Sequence, residues 1–488
     1  MINQILLNKE LLKKIVFKNI KIDPNVTSVT FVGSFITNNN INFISDVDVV
    51  VIVKKLDKKV FDKINNKIKK IKPSKIGLTG YKIKINNTFG PLKYKSDTDV
   101  VVHLMIYDKN GHIDHVIKSP FTCYDWERSL VFNGKRLRDI FPVGVIQFRD
   151  FLETRRSLQN YLKDLKKSVL TYYQYSFYKN KYKFIKKQKL LFDSHLAEYI
   201  FHIHKNLINN YYKYLLNKNV SLNDNYIFYL KNIIGKELYF KFIKHFKLFY
   251  NYKKTSTLNF RPRKETAKLN SFLSNFDKSI KKNIKTSNKI IFYRHAETSL
   301  NNGSFLGIGR DPGILSENIN NLKDKNTYKY DIFYSSLLKR SIDTAKLIFK
   351  QKKVIKLKEL NEINYGLAEG LNFSELKKKY PRLVKKWVSG DDPKFPLGES
   401  YNDVLSRLDY FIYKILKYKI KNKKQKVIGI MSHNVFLRCL IGSYFKIDKA
   451  NWYKIYIPHL CPLEFIFHKN EIRPNIQRNI LRIIFSKL

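Results

Sequence analysis

The sequence predicts a multidomain chain: a small α/β domain over residues 1–147, an α-helical middle domain over 148–252, a linker over 253–288, and a carboxyl-terminal α/β three-layer domain with a mainly parallel sheet over 289–488. Three observations predict it. At 488 residues the chain exceeds what one hydrophobic core ordinarily serves. Its hydrophobic periodicity changes twice, from short β-rich runs broken by turns, to apolar residues recurring at three and four, to alternating strand-like and helical runs. The segment between the last two regimes is polar and loses amphipathicity.

Each element follows in order. Between Ser28 and Tyr107 the runs SVTFVGSF, DVDVVVIV, YKIKI and DTDVVVHLMIY are strands by composition and spacing, with a helical pattern from Lys58 to Lys70 among them. Between Phe148 and Tyr252, FLETRRSLQNYLKDLKKSVL and SHLAEYIFHIHKNLINNYYKYLL contain no Gly or Pro and space their apolar residues as helices do, which predicts a helical bundle. Beyond Lys289, strand-like and helical runs alternate to the carboxyl end, the signature of a mainly parallel α/β sheet. There is no internal repeat.

Lys and Arg number 93 against 40 Asp and Glu, a net charge of +53. That balance suits a polyanionic partner, whether nucleic acid, anionic membrane or phosphorylated substrate. The excess is nonetheless spread over the whole chain together with abundant Asn, Ile, Tyr and Phe, a mix that an AT-rich coding sequence also yields. Nucleic acid therefore stays open as a partner. Cys123, Cys439 and Cys461 lack the count and spacing of a disulfide framework or a zinc site. No run approaches the roughly 18 apolar residues of a membrane span, and the opening MINQILLNKELLKK lacks the apolar core of a signal peptide. The expectation is a soluble cytoplasmic protein with no membrane partner.

The run IIFYRHAET ends an apolar strand on Arg294 and His295, and KVIGIMSHN delivers His433 in the same way. In an open α/β sheet ligands bind beyond the carboxyl ends of the strands. Neutral imidazole is a competent nucleophile toward phosphorus, the departing oxygen needs a proton from an acid, and guanidinium matches phosphoryl oxygens bidentately. Arg294 and Arg340 are candidates for that clamp.

RHAET at Arg294–Thr298, YSSLLKRSIDTA at Tyr334–Ala345, LNEINYGLAEG at Leu360–Gly370, GESYNDVLSRL at Gly398–Leu408 and MSHN at Met431–Asn434 resemble, in order, the motif series of the histidine phosphatase superfamily, the phosphoglycerate mutase-like enzymes. The block LNEINYGLAEGLNFSELKKKYP looks like the fructose-2,6-bisphosphatase branch. The resemblance implies that His295 is phosphorylated, that Arg294, Arg340 and His433 hold the phosphoryl group, and that Glu362 is the general acid, with Glu369 as its competitor. Asn301 falls where the family often has a phosphate-binding asparagine. No cofactor is implied for this phosphatase. The chain departs from the family at Ala296, where glycine is commoner, and at GRDPGILSEN, which replaces a longer substrate-contacting segment.

Near the amino terminus, Asp46 and Asp48 are two apart on an apolar strand and so share a face. Two carboxylates that close repel unless a cation lies between them, and magnesium suits hard oxygen ligands and substrate phosphates. Gly33 and Ser34 end the preceding strand, where a bare backbone lets a triphosphate approach. Gly-Ser, eleven residues, then Asp-Val-Asp resembles the DNA polymerase beta-type nucleotidyltransferase superfamily. That resemblance implies Mg2+, a nucleoside triphosphate as substrate, and a third carboxylate from a later strand: Asp99, with Asp97 as runner-up. His103, His112 and His115 match no compact ligand motif and are expected to be surface or structural. No arginine lies between Arg156 and Arg261, which sets aside a ribonuclease reading of His195, His202 and His204.

The expected whole is a bifunctional enzyme of phosphate chemistry acting on small molecules, such as a sugar or polyol phosphate. The alternatives are an RNA- or protein-modifying nucleotidyltransferase with an associated phosphatase, or a phosphatase with an inactive nucleotide-sensing front domain.

Overall fold

In the computed structural model the first sheet is built around two apolar strands, β1 (Val26–Val32) and β2 (Val47–Val53), paired antiparallel from Val26↔Val53 to Val32↔Asp48. The structure describes residues 2–21, 23–37, 46–91, 99–179, 181–217, 231, 235–255, 257–285, 287–315, 328–349, 353–420, 425–468 and 471–488. The chain divides into two units, residues 1–146 with 150–281, and residues 147–149 with 282–488.

In the first unit, β3 (Lys82–Asn86), β4 (Thr88–Phe89), β5 (Asp99–Asp108) and β6 (Phe132–Gly134) follow. The sheet runs β3-β5-β2-β1-β6, with β3, β5 and β2 parallel and β1 antiparallel to both of its neighbours. Central β2 is buried on both faces, which is why its sequence is a continuous valine run rather than an alternation. The helices Ile2–Lys21 and Lys58–Lys69 add Leu12, Val16, Ile20, Ile64 and Ile68 to the core beneath it. Asp57 starts the second of these helices by accepting the Val60 N–H at 2.9 Å.

Two expectations are corrected here. The middle region is not all helix, because β7 (Val169–Tyr178) and β8 (Lys181–Leu190) form an antiparallel hairpin that β4 extends to three strands. Period-two alternation wins over helical spacing. Tyr175 and Phe177 lie on one face, opposite Phe184 and Tyr182, and pack on Phe61, while the intervening Lys183 is exposed. The Tyr175 hydroxyl also clasps both backbone groups of Ile106, accepting its N–H at 2.8 Å and donating to its carbonyl at 2.7 Å.

The expected linker is largely a helix, Pro262–Lys285, which belongs to the first unit as far as Lys281. Leu269, Phe272, Leu273 and Phe276 recur at i, i+3, i+4 and i+7 and are buried, with Phe272 against Phe242 and Phe246. The helices Asp193–Leu216 and Lys236–Thr255 complete this helical part.

The second unit contains β9 (Asn288–Arg294), β10 (Ile332–Ser335), β11 (Val354–Lys356), β12 (Val427–Ser432), β13 (Leu463–His468) and β14 (Glu471–Pro474). Their order is β11-β10-β12-β9-β13-β14; the first four are parallel and the last two join antiparallel. The connections carry the helices Lys339–Ile348, Tyr401–Tyr410 and Asn434–Tyr444. Among the described residues, no helix is long and apolar enough to cross a membrane.

Candidate functional site

Strand register brings the two histidines together. β9 and β12 run parallel with Arg294 opposite Ser432, so the next residues, His295 and His433, leave the sheet at one level. The His295 N–H prolongs the ladder to the Ser432 carbonyl at 3.0 Å. The two imidazole centroids are 5.1 Å apart. Both rings are buried, His295 at 3% and His433 at 0% exposure.

Hydrogen bonds decide the protonation of His295. Its Nδ1 lies 2.6 Å from the Ala296 carbonyl oxygen, an acceptor only, so Nδ1 carries the hydrogen and Nε2 keeps the lone pair. Burial holds the imidazole well below its ordinary pKa, and the Arg340 and Arg294 guanidiniums depress it further. His433 is depressed by burial, then by Arg340 and His295. Both rings are therefore neutral at physiological pH.

Arg340 stands in the first turn of its helix and is 1% exposed. Its guanidinium donates to the carbonyls of Arg310 at 2.9 Å and Gly307 at 2.8 Å, and to the Asp311 carboxylate at 3.1 Å. Arg294 donates to the Ile457 carbonyl at 2.9 Å, and burial lowers its pKa to about 10. Arg294 Nε, Arg340 Nε and His433 Nδ1 are buried without a hydrogen-bond partner. Unmatched nitrogens of this kind, two of them on cations, suit an anion of several oxygens.

Glu362 lies at the amino end of the helix Asn434–Tyr444, where its carboxylate accepts the N–H groups of Val435 at 3.1 Å, Phe436 at 3.3 Å and Ile363 at 3.0 Å. His433 caps the same helix, so the acid and the second histidine meet at one helix end. The rival carboxylate, Glu369, is committed elsewhere, accepting the N–H groups of Ile308 and Gly309 at 2.8 Å each. Asn301 accepts the Thr298 N–H and hydroxyl at 2.7 and 2.9 Å, both within its own turn.

Residues 290–477 match the model of the histidine phosphatase superfamily, branch 1. A 2,3-bisphosphoglycerate-dependent phosphoglycerate mutase from Buchnera aphidicola subsp. Acyrthosiphon pisum (strain 5A) is 31% identical over 185 residues, covering 31% of this chain and 79% of the relative. The chain belongs to the histidine phosphatase superfamily. A phosphoserine phosphatase 1 from Hydrogenobacter thermophilus is 29% identical over 179 residues, covering 34% of this chain and 80% of its own. A solved phosphoserine phosphatase from Entamoeba histolytica, in complex with 3-phosphoglyceric acid, is 26% identical with a TM-score of 0.34, covering 39% of this chain and 95% of that one. The carboxyl-terminal unit is thus a phosphatase/mutase-type domain.

Sequence reasoning missed several residues of this histidine phosphatase site. Ser336 Oγ lies 2.7 Å from His433 Nε2. His459 donates from Nδ1 to the His295 carbonyl at 2.7 Å. Thr344 accepts the Ala296 N–H at 3.0 Å. Arg407 braces the acid's loop, donating to the carbonyls of Glu359 at 2.9 Å, Asn361 at 2.7 Å and Glu362 at 3.0 Å while paired to Glu399. Ser336, Thr344 and Arg407 lay within quoted motifs; nothing in the sequence marked His459.

Outside the histidine phosphatase unit lies a second cluster. Asp46 directly precedes β2, Asp48 is its second residue, and Gly33 follows β1. Gly33 has φ +73°, and a Cβ there would fall 2.1 Å from Asp48 Oδ2, so both the backbone conformation and the close approach require glycine. Ser34 opens the short helix Ser34–Thr37. The expected third carboxylate is not beside the pair. Register places His103 opposite Asp48, while Asp99 lies opposite Lys82 at the start of β5 and its carboxylate is 3.4 Å from Lys84 Nζ. His103, rather than Asp99, is the residue of β5 that stands beside the aspartate pair. Asp97 lies outside the described residues.

His103 Nδ1 is 2.7 Å from Asp48 Oδ1 and 3.9 Å from Asp46 Oδ2. Burial alone would lower the His103 pKa, but the hydrogen bond and charge of Asp48 outweigh it. Burial and the Asp46 charge raise Asp48 in turn. The cluster lines a cavity of about 470 Å³, shared with Ser34, Lys118, Lys205 and Lys213. His112 is buried and His115 stacks on Trp126 at 4.9 Å, so both serve packing.

Proposed function

We propose that the carboxyl-terminal unit hydrolyses a phosphomonoester of a small molecule through a phosphohistidine. The supporting observation is the tautomer of His295, whose Nδ1–H is spent on the Ala296 carbonyl, leaving a neutral Nε2 lone pair beside buried guanidiniums. In the first step that lone pair forms a bond to phosphorus as the ester P–O bond breaks, and the leaving oxygen takes a proton from the Glu362 carboxyl. In the second step water attacks phosphorus and gives a proton to the Glu362 carboxylate. The P–N bond breaks, releasing phosphate and restoring His295. Arg294, Arg340 and His433 offset charge on the phosphoryl oxygens throughout.

The test is to react the full-length chain with a panel of phosphorylated metabolites, quench in alkaline denaturant, and map the phosphate by mass spectrometry while counting inorganic phosphate released. Label on His295 with stoichiometric phosphate release is expected. Phosphoryl return to a second position of the same substrate would instead make the unit a mutase, and hydrolysis undiminished in His295→Ala would end the reading.

For the amino-terminal unit we propose nucleotidyl transfer from a nucleoside triphosphate to a small-molecule acceptor, such as a sugar or polyol phosphate. Support comes from Asp46 and Asp48 lining a cavity together with Gly33, Ser34, Lys118, Lys205 and Lys213. Asp46 and Asp48 would hold a divalent cation, which supplies charge neutralisation at a triphosphate and activation of an acceptor oxygen. The Gly33 backbone and Ser34 would approach the triphosphate, and the lysines would balance anionic groups. Labelled nucleoside triphosphates with metabolite pools test it; transfer retained in Asp46→Asn and Asp48→Asn excludes it. Nucleotide binding without transfer would favour the sensing role.

A further inference from the structure

The amino-terminal resemblance implies magnesium held by three carboxylates, and the residues present do not fit that set: Asp99 is drawn to Lys84, and an imidazole stands where the third carboxylate is expected. We propose that Asp46, Asp48 and His103 form a site for one divalent transition-metal cation, Mn2+ or Zn2+, in place of magnesium. The proposal concerns the same cavity as the nucleotidyl-transfer reading but rests on the ligand geometry alone.

The first support is proximity. One ligand atom from each of the three side chains lies within 4.8 Å of the others, as a single ion requires. β2 and β5 pair in parallel with Asp48 opposite His103, so the sheet itself fixes two of the three positions. Ligands on strands are held more tightly than ligands on loops.

The second support is the direction of the imidazole hydrogen. His103 Nε2 lies 2.8 Å from the carbonyl oxygen of Thr88. A carbonyl oxygen only accepts, so Nε2 carries a hydrogen, and Nδ1 faces the carboxylate of Asp48, 2.7 Å away, where it either shares a proton with that carboxylate or, without the proton, offers a lone pair to a cation. Two acceptors cannot rest at that distance on their own; a proton or a cation must lie between them. Metal-binding histidines characteristically donate their other ring N–H to a carbonyl or carboxylate, which fixes the tautomer and aims the free nitrogen at the ion. The Thr88 carbonyl does this here, and its turn is braced by Asn86, which accepts the Thr88 N–H at 2.9 Å and the Thr88 hydroxyl at 2.7 Å.

Ligand chemistry then sets the ion. Two carboxylates suit hard cations in general, but an imidazole nitrogen shifts preference toward the first-row transition metals, because magnesium keeps to oxygen ligands and dehydrates reluctantly. Three protein ligands leave coordination positions open toward the cavity, where Lys118, Lys205 and Lys213 are also part of the wall. An anionic co-ligand fits such positions.

The experiment is a titration of the metal-stripped, full-length chain with MnCl2, ZnCl2 or MgCl2 separately, with no nucleotide present, followed by calorimetry and by the electron paramagnetic resonance of bound Mn2+. One equivalent of Mn2+ is expected, bound at least roughly tenfold more tightly than Mg2+. Because most nitrogen-containing sites favour Zn2+ over Mg2+, the deciding variant is His103→Asp, which should weaken Mn2+ and Zn2+ and strengthen Mg2+. Asp48→Asn, checked for folding by circular dichroism, should lose all three ions. No bound ion in the parent chain, or Mn2+ affinity unchanged in His103→Asp, overturns the proposal. Metal binding without nucleotidyl transfer leaves it standing and removes the catalytic reading; transfer by a protein that shows no preference for Mn2+ or Zn2+ does the reverse.

Discussion

The imidazoles of His295 and His433 lie 5.1 Å apart, centroid to centroid, and are inclined at 56°. That spacing would let both rings flank one tetrahedral group, while only His295 has its lone-pair nitrogen fixed by a backbone carbonyl. The roles are therefore unequal. His433→Ala should keep the phosphohistidine detectable while slowing its formation by roughly 100-fold or more, the scale of losing one preorganised donor to a developing oxyanion. Single-turnover quench measurements check it, with unchanged melting as the control for folding.

Glu362 is expected to matter in proportion to how badly the leaving group needs a proton. Glu362→Gln should slow hydrolysis of alkyl phosphates by roughly 100-fold to 10,000-fold. It should slow p-nitrophenyl phosphate far less, since that phenolate departs unaided. Equal losses on both substrates would mean that Glu362 supports the site without transferring a proton.

Arg407 is expected to act through Glu362 rather than on substrate. It donates to three consecutive-region carbonyls, those of Glu359, Asn361 and Glu362, and is paired with Glu399. Arg407→Lys cannot reproduce a planar fork of donors. We expect kcat to fall by roughly tenfold to a hundredfold with KM little changed, since a misplaced acid costs the transition state more than the bound ground state. A variant that raised KM alone would instead point to substrate contact in the adjoining cavity that Arg407, Asn364 and Lys358 line.

Buried histidines make the fold acid-sensitive. Burial lowers His112 to about 4, and His295, His433 and His204 are depressed by the same cause. An unfolded chain takes up protons at ordinary histidine pKa values while these native sites refuse them, so the stability they contribute is present above about pH 6.5 and lost as pH falls toward the native values. His112 alone should account for about 2 kcal/mol between pH 7 and pH 5. Urea unfolding across that range checks it, with His112→Gln flattening the dependence.

The strand ends were legible because a parallel sheet delivers polar residues at the carboxyl ends of apolar runs, and IIFYRH and VIGIMSH both do so. Residues that converge through register were less legible. Nothing local in DTDVVVHLMIY tells which of Asp99 and His103 faces Asp48; only the pairing of β2 with β5 decides it. The hairpin of β7 and β8 was hidden because its tyrosines and phenylalanines also fall at helical spacings, and no glycine or proline marks the turn at Lys179, which takes φ +44° without one. In the helix Pro262–Lys285 the pattern of Leu269, Phe272, Leu273 and Phe276 was present, but charged and polar residues diluted it.

The near-total enclosure of Arg340, whose two terminal nitrogens rest on Gly307, Arg310 and Asp311 while Nε stays unmatched, keeps bulk electrolyte away from that cation. Ionic strength then becomes a tool for telling attractions apart. Added chloride fades the pull of the many exposed lysines on any anionic visitor, while the field of the guanidinium behind the histidine pair is screened far less.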